Sequence, residues 1–92
     1  MKLKELIFYM HCGAELEITI CGEMFFLQPD YDTANKEWDE NNLPYPNIVL
    51  YEVKDYEHPK EIFRGKVEDV IDYNFCKSYT LRKHLDKFVI IG

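Results

Sequence analysis

The segment from residue 15 to residue 28 constrains the fold most, because its pattern is that of a β-hairpin. Every second residue from Leu16 to Ile20 is apolar, the period of two that is typical of a half-buried strand. Cys21 and Gly22 then supply a two-residue turn, since glycine readily takes the positive φ that such turns require. This turn predicts a register in which Ile20 pairs with Glu23, Ile18 with Phe25, and Leu16 with Leu27.

The other apolar patterns predict helices and strands on either side of this hairpin. Apolar residues at the i, i+3, i+4, i+7 spacing indicate a helix over residues 2–10. Further helices are predicted at 66–74 and 80–87, and further strands at 48–54, 61–64 (antiparallel to 48–54) and 89–91. We therefore predict that residues 1–92 form a single α+β domain. It contains a small antiparallel sheet of four to five strands, with two to three helices packed mainly on one face.

Length and composition restrict the class of protein. The chain has 92 residues, of which 47% are apolar, and no apolar run approaches the roughly 20 residues that span a bilayer. The N-terminal residues lack the pattern of a signal peptide, so we interpret them as mature sequence. The three cysteines (Cys12, Cys21 and Cys76) cannot all pair internally and match no metal-binding spacing. Free thiols in a reducing cytoplasm are the simplest interpretation.

The charge is unevenly distributed along the chain. The net charge is −6, yet residues 73–92 carry four basic side chains and one acidic side chain. The acidity of the remainder argues against direct nucleic-acid binding, which needs a basic surface for the phosphates. It is compatible with a protein partner that has a basic surface.

A long connection over residues 29–47 is the first candidate site, because nineteen residues far exceed the usual length in compact domains. Five of its carboxylates lie between residues 30 and 40 against a single lysine, close to large aromatic residues. Such aromatics are enriched among interface hot spots. The alternative is a solvated loop whose Trp38 folds back over the core. The predicted partner-binding residues are Asp30, Tyr31, Asp32, Glu37, Trp38, Asp39, Glu40 and Tyr45.

Two further surfaces are candidates. The predicted hairpin register points Met24 and Phe26 away from the core, where they could form a contact patch or a homodimer interface. Alternatively, the first helix or the long connection covers them. In the third predicted helix, Arg82 and Lys83 occupy the first turn, where the helix dipole disfavours cations. They form either an ordinary charged face or a contact for a partner, an anion or the acidic loop of another copy.

Cysteine and histidine chemistry has no sequence signature in this chain. The candidate residues lack the CxxC and HxxxH spacings that place two metal ligands on one turn. We therefore predict no metal, no cofactor and no catalytic residues. The alternative is a small enzyme whose cysteine and histidine meet only in the fold. It would use two of Cys12, Cys21, Cys76, His11, His58 and His84.

Three stretches of the chain, Ala14–Leu27, Lys60–Ile71 and Thr80–Lys83, together resemble small uncharacterised proteins of gut Gram-positive bacteria and of their prophages or mobile elements. The resemblance covers about a third of the chain and includes no catalytic motif. It implies a cytoplasmic accessory protein, for which a host or defence component is one candidate target.

These observations lead to one functional hypothesis and two alternatives. The hypothesis is a small acidic cytoplasmic protein-binding domain, of mobile-element origin, that acts through an acidic-aromatic loop over residues 30–46 with Trp38 as the anchor. The alternatives are the small enzyme with a cysteine–histidine site and a homodimeric structural module formed through sheet edges or the face of Met24 and Phe26.

Overall fold

The structure, a computed structural model, describes residues 2–75 and 79–85 and the backbone of residues 88–90. Helix α1 (Leu3–His11) precedes strands β1 (Leu16–Ile20) and β2 (Glu23–Pro29). A 3-10 turn (Tyr31–Thr33) follows, and then strands β3 (Asn47–Val53) and β4 (Lys60–Lys66), helix α2 (Val67–Val70) and strand β5 (Phe88–Ile90).

The strands form one antiparallel sheet in the order β4-β3-β2-β1-β5. The predicted hairpin register is confirmed, since Leu16 pairs with Leu27 and Ile18 with Phe25. Both turn residues have positive φ, 56° at Cys21 and 75° at Gly22, as a type I′ turn requires. Between β3 and β4 the register shifts at Leu50/Tyr51.

The second and third helices differ from the prediction. The predicted helix over 66–74 is a single turn, Val67–Val70. The predicted helix over 80–87 is wrong for residues 80–85, which form turns; residues 86 and 87 lie outside the described part. Contacts with the end of α2 hold this segment. The backbone N–H of Arg82 donates to the Ile71 carbonyl at 3.1 Å, and the Arg82 guanidinium contacts Asp72 at 2.8 and 3.2 Å.

The main core lies on one face of the sheet, as the alternation predicts. Leu6 and Met10 of α1 and Val67 and Val70 of α2 are all buried in one cluster with the inward residues of the sheet. Those sheet residues are Leu16, Ile18, Ile20, Phe25, Leu27, Ile48 and Leu50. Because strand side chains alternate, the residues between them lie on the opposite face, which we call the open face.

The cysteines depart from the expectation of free thiols. Cys12 is free, as predicted, and its side chain is exposed. Cys21 is disulfide-bonded, so the prediction is wrong at this position. Cys76 lies outside the described residues. Because disulfides persist in oxidising compartments, the cysteines no longer support a reducing environment. No helix in the described part of the chain has the length and apolarity needed to cross a membrane.

Gly13, just after α1, brings the backbone against an aromatic ring. Its φ is +101°, and a Cβ at this position would lie 2.8 Å from Cε2 of Tyr45. An L side chain there is therefore strained and also displaces the ring. Gly22 has φ +75°, but a Cβ at that position would have no atom within 4 Å, so only backbone strain arises there.

We expect Gly13→Ala to lower the free energy of unfolding by about 2 kcal/mol or more, because backbone strain and the contact with Tyr45 add together. Gly22→Ala is the matched control and is expected to cost about 1 kcal/mol, from strain alone. Urea unfolding of the two variants measures the difference. Equal losses in both variants would show that the ring contact at Gly13 contributes nothing.

Candidate functional site

The acidic-aromatic loop (residues 30–46) is fastened at both ends to the sheet and to α2. The Asp30 N–H donates to the Asn47 carbonyl at 3.0 Å, and the Asn47 side chain donates to the Thr33 hydroxyl at 3.0 Å. At the other end, the Val67 N–H donates to the Pro46 carbonyl at 3.1 Å. The loop therefore leaves and returns at one edge of the main core.

Asp30 is a structural residue of this loop. It is 4% exposed, and its carboxylate lies 3.0 Å from Nη1 of Arg64 on β4. The same carboxylate accepts a hydrogen bond from the Asp32 N–H at 3.2 Å, which caps the 3-10 turn. Asp30 was among the predicted partner-binding residues, but its charge is satisfied inside the chain.

Tyr45 and Tyr31 brace the loop against the first helix and the hairpin. The Tyr45 ring packs against Gly13 and contacts the Tyr31 ring edge-on at 5.6 Å. The Tyr31 hydroxyl donates to the Glu15 carboxylate at 3.0 Å. Burial, followed by the hydrogen bond and the charge of Glu15, raises the pKa of Tyr31 above its ordinary value. Tyr45 is half-buried, whereas Tyr31 keeps an exposed flank.

Two asparagines form an internal frame for the loop. The Asn35 side chain donates to Oδ1 of Asn42 at 2.9 Å and to the Leu43 carbonyl at 2.6 Å. The Asn42 side chain in turn donates to the Glu37 carbonyl at 3.0 Å. Sequence reasoning missed both residues. The usable signal was the residue type, because short amide side chains often bind neighbouring backbone groups in loops.

The loop tip (Glu37–Glu40) presents the tryptophan. Asp39 and Asn42 exchange two backbone hydrogen bonds of 3.1 Å, and the Asp39 carboxylate accepts from the Asn41 N–H at 2.9 Å. This tight turn directly follows Trp38, whose side chain is 63% exposed. Trp38 therefore does not fold back over the core, and the residues on either side of it (Glu37, Asp39 and Glu40) are exposed.

The open face carries the second predicted patch. Met24 pairs with Val53 and Phe26 with Tyr51 across β2 and β3, and both predicted residues are half-buried. They line a shallow groove together with Glu17, Val53, Tyr56 and Pro59. The Tyr56 hydroxyl lies 3.6 Å from the Met24 sulfur, although Tyr56 itself is 79% exposed. Neither α1 nor the acidic-aromatic loop lines this groove.

Two of the three histidines, His11 and His84, engage partners other than a cysteine through their rings. His11 contacts the Glu68 carboxylate and the Tyr45 carbonyl, while His84 stacks on the Tyr79 ring at 4.3 Å. His58 lies exposed on the turn between β3 and β4. Among residues 2–75 and 79–85, no group of three or more His, Cys, Asp or Glu side chains is placed to hold a metal ion.

Helix α1 also exposes two aromatic residues that the sequence reasoning did not single out. Phe8 and Tyr9 lie on its outer side with their ring centroids 6.2 Å apart. The usable signal was their place outside the predicted apolar stripe of the helix. They surround a shallow depression with Lys4 and Glu5.

Comparison of the chain with known protein families, curated proteins and solved structures found no match.

Trp38 is the single tryptophan of the chain, so its fluorescence reports directly on the loop tip. We expect caesium ions to quench this fluorescence more strongly than iodide ions at low ionic strength, because the neighbouring carboxylates attract cations and repel anions. Combining Glu37→Gln, Asp39→Asn and Glu40→Gln is expected to reduce the difference. Stern–Volmer titrations measure it.

The control for this measurement is Asp55→Asn with Glu57→Gln, which removes exposed carboxylates at the opposite end of β3. It is expected to leave the caesium preference largely unchanged. Weak quenching by both ions in the folded chain would contradict an exposed Trp38.

Proposed function

We propose that this chain is a small non-enzymatic protein-binding domain that contacts a basic protein surface through the acidic-aromatic loop. The observation that carries the proposal is the exposure of Trp38 at the tip of a loop whose own hydrogen bonds hold it in place. The contact residues in this proposal are the exposed ones among those predicted. They are Tyr31, Asp32, Glu37, Trp38, Asp39 and Glu40.

The braced loop makes Trp38 an effective anchor. Ordering a flexible loop on binding costs free energy, and the amide frame of Asn35 and Asn42 reduces that cost because the loop is already held. A tryptophan offers a large rigid apolar surface to a pocket on the partner. The flanking carboxylates accelerate association with a basic surface and select against acidic ones.

The biological setting belongs to the same proposal. The resemblance to small proteins of gut Gram-positive bacteria and their mobile elements supports an accessory role with a host or defence component as the target. A cytoplasmic location rests on that resemblance alone, because Cys21 is disulfide-bonded.

The test uses the folded chain as bait in an extract of a gut Gram-positive bacterium, followed by purification of the captured protein and measurement of its affinity. We expect Trp38→Ala to weaken binding by about 2 kcal/mol, or roughly 30-fold in Kd, because an interface hot spot is lost. Raising the salt concentration is expected to slow association, since the steering charges are screened.

Tyr56→Ala is the matched control, because it removes an exposed aromatic side chain outside the loop. It is expected to leave the affinity unchanged. If the partner binds the double variant Trp38→Ala with Asp39→Ala as tightly as the original chain, the loop is not the interface.

The apolar groove on the open face favours a second candidate function, a homodimeric module. Met24, Phe26 and Tyr56 offer apolar surface that no described helix covers. A dimer formed there would bury this surface against its copy. We expect analytical ultracentrifugation at micromolar concentration to give the dimer mass if this candidate holds, and Phe26→Ser to shift it toward the monomer. A monomer mass for the original chain would contradict the dimer.

A further inference from the structure

The His11 ring, at the end of α1, lies between two oxygen atoms. Its Nδ1 atom is 2.9 Å from the Tyr45 carbonyl oxygen, and its Nε2 atom is 2.7 Å from Oε1 of Glu68. The His11 side chain is only 16% exposed. Each ring nitrogen therefore faces an oxygen acceptor at hydrogen-bond distance.

Only the imidazolium form of His11 can donate to both oxygens. A neutral imidazole has one N–H and one lone pair, so one of its two nitrogens would face an oxygen without a proton between them. For Glu68, burial raises the pKa, but backbone and His11 hydrogen bonds, with the charges of His11 and Lys66, together bring the pKa below its ordinary value. Glu68 therefore stays ionised at neutral pH, and whether both contacts form depends on whether the His11 ring carries one proton or two.

The charged groups around this ring come from the end of β4, from α2 and from the acidic-aromatic loop. Glu68 belongs to the first turn of α2, and Lys66 immediately precedes that helix. From the loop, Glu40 lines the same polar pocket as His11 and Glu68. The remaining polar lining consists of uncharged amides, namely Asn35, Asn41 and Asn42.

This contact joins three parts of the chain. His11 ends α1, Tyr45 lies near the end of the acidic-aromatic loop, and Glu68 lies on α2. The Tyr45 N–H also donates to the His11 carbonyl at 3.1 Å, so loop and helix meet through backbone as well as side chain. A change at the His11 ring therefore acts directly on the base of the loop.

We propose that His11 is a proton-dependent latch that holds the base of the acidic-aromatic loop. The imidazolium ties the Tyr45 carbonyl to the Glu68 carboxylate. When the ring loses a proton, the remaining N–H stays with Glu68, because a charged acceptor binds more strongly than a neutral carbonyl. The contact with Tyr45 is then lost, and the base of the loop loosens as pH rises. The consequence for partner binding rests on the proposed function, whereas the latch itself does not.

The latch is tested on the full chain by NMR between pH 5 and 8.5. The measured quantities are the His11 ring shifts, the Trp38 indole shift and the exchange rate of the Tyr45 amide, corrected for intrinsic exchange. We expect Tyr45 protection to fall by about tenfold, the effect of one hydrogen bond, with the same midpoint as the His11 titration. The Trp38 indole shift is expected to follow that midpoint.

Two substitutions separate the latch from general pH effects. His11→Gln removes the titrating ring and is expected to make Tyr45 protection independent of pH in this range. His58→Gln is the matched control, because it removes an exposed histidine on the β3–β4 turn, and it is expected to keep the pH dependence. If His11→Gln retains the pH dependence, the latch is overturned.

The result remains decisive if His11→Gln does not fold. In the original chain, Tyr45 protection that does not change as the His11 ring titrates overturns the latch by itself. These readouts need no partner, so a failure of the loop as an interface leaves the latch result standing. Conversely, pH-independent protection refutes the latch while leaving the binding proposal intact.

Discussion

The register of the β1–β2 hairpin is the constraint on which the rest of the structure depends. Side chains alternate across a strand, so a slip of one residue would exchange the two faces of the sheet. The observed pairing of Ile18 with Phe25 directs the apolar set toward both helices. It also leaves Met24 and Phe26 on the open face. Strand β2 ends at Pro29, which pairs with Ile48 of β3, and the acidic-aromatic loop begins at the next residue.

Features encoded in a few neighbouring residues were predictable from the sequence. The hairpin turn, the register and the strands at 48–54 and 61–64 follow from local alternation and turn chemistry, and the structure confirms them within one or two residues. The helix predicted over 80–87 was wrong for residues 80–85, because contacts of Arg82 with Ile71 and Asp72 hold that segment in turns. Such tertiary contacts override weak helix propensity and small dipole penalties.

The candidate site shows the same division. The composition of the loop predicted it as a candidate site and left open whether Trp38 is exposed. It could not show that Asp30 is buried while the other carboxylates of the loop are exposed. That separation depends on Arg64, which is distant in sequence and is brought beside Asp30 by the pairing of β2 with β3 and of β3 with β4. The hydrogen bond between His11 and Glu68 was likewise not predictable from the sequence, since the two residues meet only through the packing of α1 beside α2.

The irregular pairing of β3 with β4 has a consequence for how the sheet can grow. Strand β4 is an edge strand, and four of its seven residues are charged: Lys60, Glu61, Arg64 and Lys66. Lysines and a register irregularity at an edge both discourage another strand from adding to it. Further chains are thereby kept from extending the sheet at β4. Contacts with another chain through the loop tip or across the open face do not require a new strand at β4, so this feature of the edge leaves them possible.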